Sequence, residues 1–395
     1  EMASKHPIRN RDELSMVYTP GVARVCLAIA ANKADARRLT IKRNAVAVVT
    51  DGSAVLGLGN LGPEAALPVM EGKAALFKRF AGIDAWPLCL DTQDVDEIVR
   101  TVRIIAPGFA GINLEDISAP RCFEVEARLR ELLDIPVFHD DQHGTAIVML
   151  AALTNALRVV GKALRDVRIV MSGAGAAGSA IVRLLVEAGA CDVVVADVDG
   201  VIHNGRAHLT PSLQWIADHT NAAAFAGSLK QAVIGADVFI GVSAPNVLDG
   251  SDVAAMSDGA IVFALANPDP EIDPAEARRH AAVVATGRSD YPNQINNVLA
   301  FPGVFRGLLD ASASTIADPL LVAAAHAIAA TVSSTELNAN YVIPSVFHED
   351  VHKAVATAVK EAVSAEVAAM AEVAPPTVGS DDEAPAPATL SEGEG

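Results

Sequence analysis

Apolar residues fall along this chain in short unbroken runs separated by stretches of three-to-four spacing, a rhythm that predicts buried strands alternating with helices. Ala45 to Thr50 is the first such run, and the DGSAVLGLGNLG that follows predicts a glycine-rich turn feeding a helix over about Glu64 to Phe80. On that helix Ala66, Val69, Met70, Leu76, Phe77 and Phe80 share one face, with Pro68 in the first turn or at a kink and Lys73 in the middle of the apolar stripe. Ala85 to Leu90, Gly111 to Leu114 and Ile135 to Phe138 predict further buried strands. The last two run straight into acidic pairs, Glu115-Asp116 and Asp140-Asp141, so both pairs are expected at strand ends, where α/β proteins place their chemistry. A long apolar helix from about Thr145 to Val160 leads into the second half.

There the alternation becomes regular: strands at Val167 to Met171, Val193 to Ala196, Val238 to Val242, Ile261 to Leu265 and Val283 to Ala285, with helices at Ala177 to Ala188 and near Leu213. This predicts the α/β class, an N-terminal α/β catalytic domain followed by a doubly wound parallel sheet. The expected boundaries are residues 1–150, 151–335, a helical segment 336–373 and an acidic tail 374–395, too polar to order. Helices near Gly303 to Leu309, Pro319 to Val332 and Glu349 to Met370 complete the expected elements.

Composition sharpens this picture. A chain of 395 residues suits two domains, and 51% hydrophobic residues with only 4% aromatics point to helices packed on a Val-rich sheet. The net charge of -18, with no basic stretch, argues against nucleic acid and against an anionic membrane surface. An anionic substrate then needs local help from a metal or a lysine. Cys26, Cys89, Cys122 and Cys191 lie far apart without zinc spacing, so reduced thiols in a cytoplasmic protein are expected. Neither a signal peptide nor an uncharged run of membrane-spanning length stands out. Because the first residue is Glu1, an extension before it stays open.

The chemistry begins with Gly173-Ala174-Gly175-Ala176-Ala177-Gly178, a GxGxxG fingerprint that leaves a strand, opens a helix and is trailed by Asp197 at the end of the next strand. It predicts a Rossmann-type unit in which a pyrophosphate meets the helix N-terminus. A carboxylate at Asp197 would bond the adenosine ribose and repel a 2′-phosphate, favouring NAD, although Arg206 or Lys230 can still serve the phosphate of NADP. Glu115, Asp116 and Asp141 form a hard oxygen set suited to Mg²⁺ or Mn²⁺; adjacent Glu115 and Asp116 can share one ion only if the backbone turns between them. Lys73 in its apolar stripe is a candidate base whose pKa burial would lower; snorkelling to the helix edge is the bland alternative. Tyr18 in VYTPGVA, Asn267 at a strand end and Asn296-Asn297 before AFPG are each ordinary alone, but together they can line a cleft.

In order, VYTPGVA, VVTDGSAVLGLGNLGPEAALPVMEGKAALFK, INLEDI, HDDQHGTA, SGAGAAG, ALANPDPE and NQINNVLAFPG closely resemble the malic enzymes of the small bacterial type, over about Asp12 to Ala330. The resemblance implies oxidative decarboxylation of (S)-malate to pyruvate and CO₂ with NAD(P) and Mg²⁺ or Mn²⁺, in a homodimer or higher homo-oligomer. It implies Tyr18 as general acid, Lys73 as general base oriented by Asp140, and Glu115, Asp116 and Asp141 as metal ligands. It further implies that Ala174 to Ala177 and Asn267 contact the dinucleotide and that Asn296 or Asn297 holds the substrate carboxylate. The larger eukaryotic relatives carry an arginine in the segment matching Asp51 to Val55, and this chain has none there. A malolactic activity, with NADH retained and lactate released, and a non-catalytic dinucleotide-sensing subunit are the alternatives.

Overall fold

Two parallel sheets, each buried on both faces, organise the chain in a computed structural model that describes residues 6–373. The acidic tail from 374 on, with its expected disorder, lies outside the described residues.

Helices α1 (Arg11–Val17), α2 (Val22–Ala31) and α3 (Asp35–Leu39) come first and contain no buried residue. The first sheet follows, as β1 (Ala45–Thr50), α4 (Pro63–Ala81), β2 (Asp84–Cys89), α5 (Val95–Ile105), β3 (Gly111–Leu114), α6 (Arg121–Leu132) and β4 (Val137–His139). Every residue of β1 and β3 is buried, the reason these strands are continuous apolar runs rather than alternating ones. β4 begins two residues later than the sequence suggests, because Pro136 has no N–H for the ladder and contributes only its carbonyl, which accepts from Ile112 N at 2.9 Å. Pro68 lies past the first turn of α4, and the helix runs on to Ala81.

Helix α7 (Thr145–Val160) carries the chain into the second sheet. That sheet is built from β5 (Arg168–Ser172), α8 (Ala176–Glu187), β6 (Asp192–Asp197), β7 (Gly200–Val201), α9 (Pro211–His219) and α10 (Leu229–Ala232), then β8 (Val238–Gly241), α11 (Gly250–Ala254), β9 (Ile261–Ala264), α12 (Pro274–Ala277) and β10 (Val283–Thr286). Strand orders are β2-β1-β3-β4 and β10-β9-β8-β5-β6-β7, parallel except for the short edge strand β7. In both sheets the chain leaves a central strand to one side and then returns to the other. Each therefore has a crevice at the carboxyl ends of its central pair, β1/β3 in the first and β5/β8 in the second.

Helices α13 (Phe301–Ala311), α14 (Asp318–Ala330) and α15 (Val351–Val373) then fold back, with α13 packing on α4 and α15 along α13 and α14. Phe301 and Phe305 meet Phe77 edge-on at 4.8 and 5.2 Å, and Phe305 meets Phe138 at 5.7 Å. All four rings are fully buried, and truncating one to Ala would cost about 3–5 kcal/mol. Two stretches do reach the length and apolarity of a membrane span, Arg11–Ala31 and Asp140–Val160, which a search for uncharged runs misses; the second is mostly buried as the core helix α7.

Candidate functional site

The carboxyl ends of β1 and β3 collect the acidic groups. After the last ladder bond, from Glu115 N to Val49 O at 2.9 Å, Asp116 takes a left-handed backbone with φ +54. That turn releases the two neighbours from opposite faces of the strand. Carboxylate oxygens of Glu115, Asp116 and Asp141 consequently all lie within 4.8 Å of one another. Asp141 arrives from a π-helical turn, Asp140–Gly144, that joins β4 to α7, and its Oδ2 accepts the Asp116 backbone N–H at 2.8 Å. Such single-turn insertions re-aim side chains, which is how two successive acids here serve different partners.

Burial pushes all three carboxyls up, and repulsion from Asp141 adds to it at Glu115 and Asp116, taking Asp116 to about 8. Its Oδ2 is buried with no hydrogen-bond partner. A crowded, proton-hungry set of hard oxygens with one buried oxygen left open fits a divalent cation of the Mg²⁺ or Mn²⁺ kind.

Lys73 stands against this set. It is 6% exposed, its Nζ lies 2.8 Å from Glu115 Oε1, is ion-paired with Asp140, and sits 4.1 Å over the Phe301 ring. Burial by itself would lower the ammonium, but Asp140 and Glu115 outweigh it and hold the pKa above the ordinary lysine range. The lowering expected from the apolar stripe is thus reversed, because the stripe leads to carboxylates rather than to hydrocarbon. Asp140, whose own carboxyl is pushed up chiefly by burial, also accepts from Asn297 Nδ2, so lysine and amide share one carboxylate oxygen. Gly144 has no side chain because a Cβ there would collide with Asp140 Oδ1.

A further layer escaped the sequence reading. Asn113 donates to Glu115 Oε2 at 2.9 Å. Glu126 on α6 grips the π turn through Gln142 Nε2 at 3.0 Å and His143 Nε2 at 2.6 Å, and pairs with Arg130 at 2.8 Å. Burial opposes the charge on Glu126, yet His143 and Arg130 prevail and hold it down at about 2. Both have a signal in hindsight: Asn113 interrupts an apolar strand, and Glu126 sits on the buried face of α6 with Cys122, Val125 and Leu129. Arg121, from the start of α6, reaches the arginine-free segment with Nη2 3.3 Å from Asp51 Oδ2.

The second crevice is a groove of about 1100 Å³ at the ends of β5, β6 and β8, with Ala119, Pro120 and Phe123 of the first unit on its far wall. Gly173 turns there at φ +107, where a Cβ would press on Val242 O at 2.5 Å, and Gly178 brings α8 onto that turn. Around Gly175, at the cap of α8, a Cβ would meet nothing within 4 Å, so this is the open approach to the helix N-terminus. Ala174 lines the groove, while Ala176 and Ala177 form the first turn of α8. Asp197 is also on its wall but not free, since Arg206 pairs with it at 2.8 Å and with Asp199 at 2.9 Å. Glu271, also unforeseen, is buried beside the groove and ties the two loops after β8 and β9 through Ser243 N at 2.7 Å and Ala266 N at 3.0 Å.

Asn267 belongs to the loop after β9; its carbonyl approaches Gly57 of the first unit and its amide approaches Gly287. Asn296 caps a short turn, accepting from Val298 N at 3.0 Å, so of the two asparagines only Asn297 joins the lysine cluster. Tyr18 stands apart. It is 67% exposed at the end of α1, and no hydrogen bond or ring contact joins its side chain to the cluster among the described residues.

Comparison with known proteins adds the following. The family description "Malic enzyme, NAD binding domain" matches residues 142–364, and "Malic enzyme, N-terminal domain" matches residues 1–95 and 92–130. The chain is 59% identical over 362 residues to an NAD-dependent malic enzyme of Geobacillus stearothermophilus, covering 92% of this chain and 76% of that protein. It is 54% identical over 364 residues to a bifunctional malic/malolactic enzyme of Bacillus subtilis, covering 92% and 89%. A crystal structure of an NAD-dependent malic enzyme from Thermotoga maritima superposes with a TM-score of 0.88 at 48% identity, covering 91% of this chain and 95% of that one.

Proposed function

The chain belongs to the malic enzyme family, and from that premise we propose that it oxidatively decarboxylates (S)-malate to pyruvate and CO₂, reducing a nicotinamide dinucleotide with a divalent cation at Glu115, Asp116 and Asp141. The observation that carries this reading is Lys73 held between Asp140 and Glu115, beside an acidic triad whose oxygens fall within 4.8 Å.

Lys73 is the base for the C2 hydroxyl. Its ammonium, kept protonated by Glu115 and Asp140, must first release a proton to solvent. A cation held by Glu115 would withdraw part of that field, leaving burial to favour the neutral amine. Asp140 keeps Nζ in place and Asn297 keeps Asp140 in place, so proton acceptance at Nζ needs no side-chain search. A divalent cation held by Glu115, Asp116 and Asp141 would supply Lewis-acid stabilisation of negative charge on the C2 oxygen, and a dinucleotide in the groove would supply the hydride acceptor. Loss of the C4 carboxylate as CO₂ leaves an enolate whose C3 takes a proton from Tyr18, and the phenolate recovers one from the Lys73 ammonium, which closes the cycle.

Tyr18 lies on helices that bury nothing of their own and that expose Leu14, Met16, Val17 and Leu27. Such an apolar face fits a second copy of the chain. We therefore assign a homodimer in which Tyr18 of one subunit serves the lysine cluster of the other. Asp197 at the groove wall favours NAD over NADP.

The test is a steady-state assay of purified protein with malate, NAD or NADP, and Mg²⁺ or Mn²⁺. Equal yields of pyruvate and free reduced dinucleotide, dependent on the cation, are the expected result. Lactate formed without free NADH would overturn it in favour of the malolactic reading, which similarity to the Bacillus subtilis bifunctional enzyme supports.

A further inference from the structure

A further cleft, of about 610 Å³, opens at the carboxyl end of α4, between it, α13 and the first half of α15. Its charge runs against that of the whole molecule. Four cationic side chains, Arg79, Arg306, Lys353 and Lys360, line it against only Asp310 and Glu349, in a chain whose net charge is -18. Asp310 is already taken by Arg306, whose Nη2 lies 2.6 Å from its Oδ1. Arg79, Lys353 and Lys360 are exposed cations with no carboxylate partner among the described residues.

At the base of the cleft is His352, only 7% exposed. Both ring nitrogens are enclosed, with the Val346 backbone the polar group that reaches the ring. His352 is also in the first turn of α15, where backbone N–H groups lack helical acceptors and the helix dipole favours negative charge. The opposite wall is apolar: Phe80 lies against the His352 ring at 4.3 Å, and Phe347 is 78% exposed, 6.5 Å from Phe80.

These walls are fixed. α15 lies so close to α13 that a Cβ on Gly303 would sit 2.7 Å from Val355 Cβ, and one on Gly307 2.7 Å from Val359 Cβ. The cleft therefore does not need to form around its occupant.

We propose that this cleft binds a small organic anion, with a phosphate or carboxylate group held by Lys353, Lys360 and Arg79 above the His352 ring and an apolar or aromatic body laid on Phe80 and Phe347. It is separate from the dinucleotide groove and from the acidic triad, none of whose residues line it.

The experiment titrates the full chain, labelled with ¹³C and ¹⁵N at histidine, with phenyl phosphate, inorganic phosphate and benzoate at constant ionic strength. His352 resonances are assigned with His352→Gln. The expected result is a saturable shift of the His352 ring with phenyl phosphate, weakened at least tenfold in a Lys353→Glu/Lys360→Glu variant and unchanged in an Arg100→Glu/Arg103→Glu control that alters net charge equally. Binding of benzoate but not inorganic phosphate identifies a carboxylate ligand, and the converse a phosphorylated one. No saturable shift with any of the three, or equal affinities in the reversed and control variants, overturns the proposal. Circular dichroism and melting of each variant establish that it is folded.

Discussion

Asp116 holds a proton that a metal must displace. Its carboxyl is pushed from an ordinary 3.8 to about 8, first by burial and then by Asp141 and Glu115. A folded-state pKa above the unfolded one means that this group's stabilisation is complete below about pH 4 and is lost as pH rises through about 8. Metal-free protein should therefore melt at progressively lower temperature from about pH 4 to 8, while saturating Mg²⁺ should restore more stability at the alkaline end. An Asp116→Asn variant should weaken both trends, Glu115, Asp141 and Asp140 retaining the remainder, and differential scanning calorimetry across that range checks it. Asp197 sets a different balance. Removing its carboxylate in Asp197→Ser takes away one of the two carboxylates on the Arg206 guanidinium, leaving Asp199, and ends the repulsion of a 2′-phosphate, so the ratio of kcat/KM for NADP to that for NAD should rise about tenfold or more, ~1.4 kcal/mol. An unchanged ratio in initial-rate assays would mean that the groove wall does not choose the dinucleotide.

The turn between β4 and α7 is the element on which the lysine cluster depends. Gly144→Ala would place a methyl group against Asp140 Oδ1, so the π turn must reopen and carry Asp140 away from Lys73. Turnover should fall about tenfold or more with dinucleotide affinity, read by fluorescence of bound NADH, nearly unchanged. This turn also marks where the sequence stopped being legible. Buried parallel strands announce themselves as apolar runs, and the fingerprint glycines carry their own spacing, so both sheets and the groove could be placed from residues alone. Backbone departures could not. Nothing in Glu115-Asp116 signals a left-handed residue, since periodicity describes regular strands, and nothing in DDQHG distinguishes a π turn from a plain helix start. The charge on Lys73 was misjudged for a related reason: its helix supplies the apolar stripe, but its partners come from strand ends 42 and 67 residues further on, at Glu115 and Asp140.

Across the whole molecule, the exposure of Tyr18 makes subunit composition a test of chemistry. Tyr18→Phe and Lys73→Ala subunits, each inactive alone, should regain activity when mixed, with about one working centre per hybrid pair, if the tyrosine crosses between copies. Hybrids separated by affinity tags and found inactive would place both groups in one chain. Helix α7 joins the remaining parts. At one end it takes up the chain directly after Asp140 and Asp141, and along its buried length it packs on α8, the helix that opens at the dinucleotide groove. It is thus a spacer of fixed length and phase. A single residue inserted midway would rotate one end against the other by about 100° and lengthen it by about 1.5 Å. Both halves would remain locally intact but be set out of register, like two gears on a misaligned shaft.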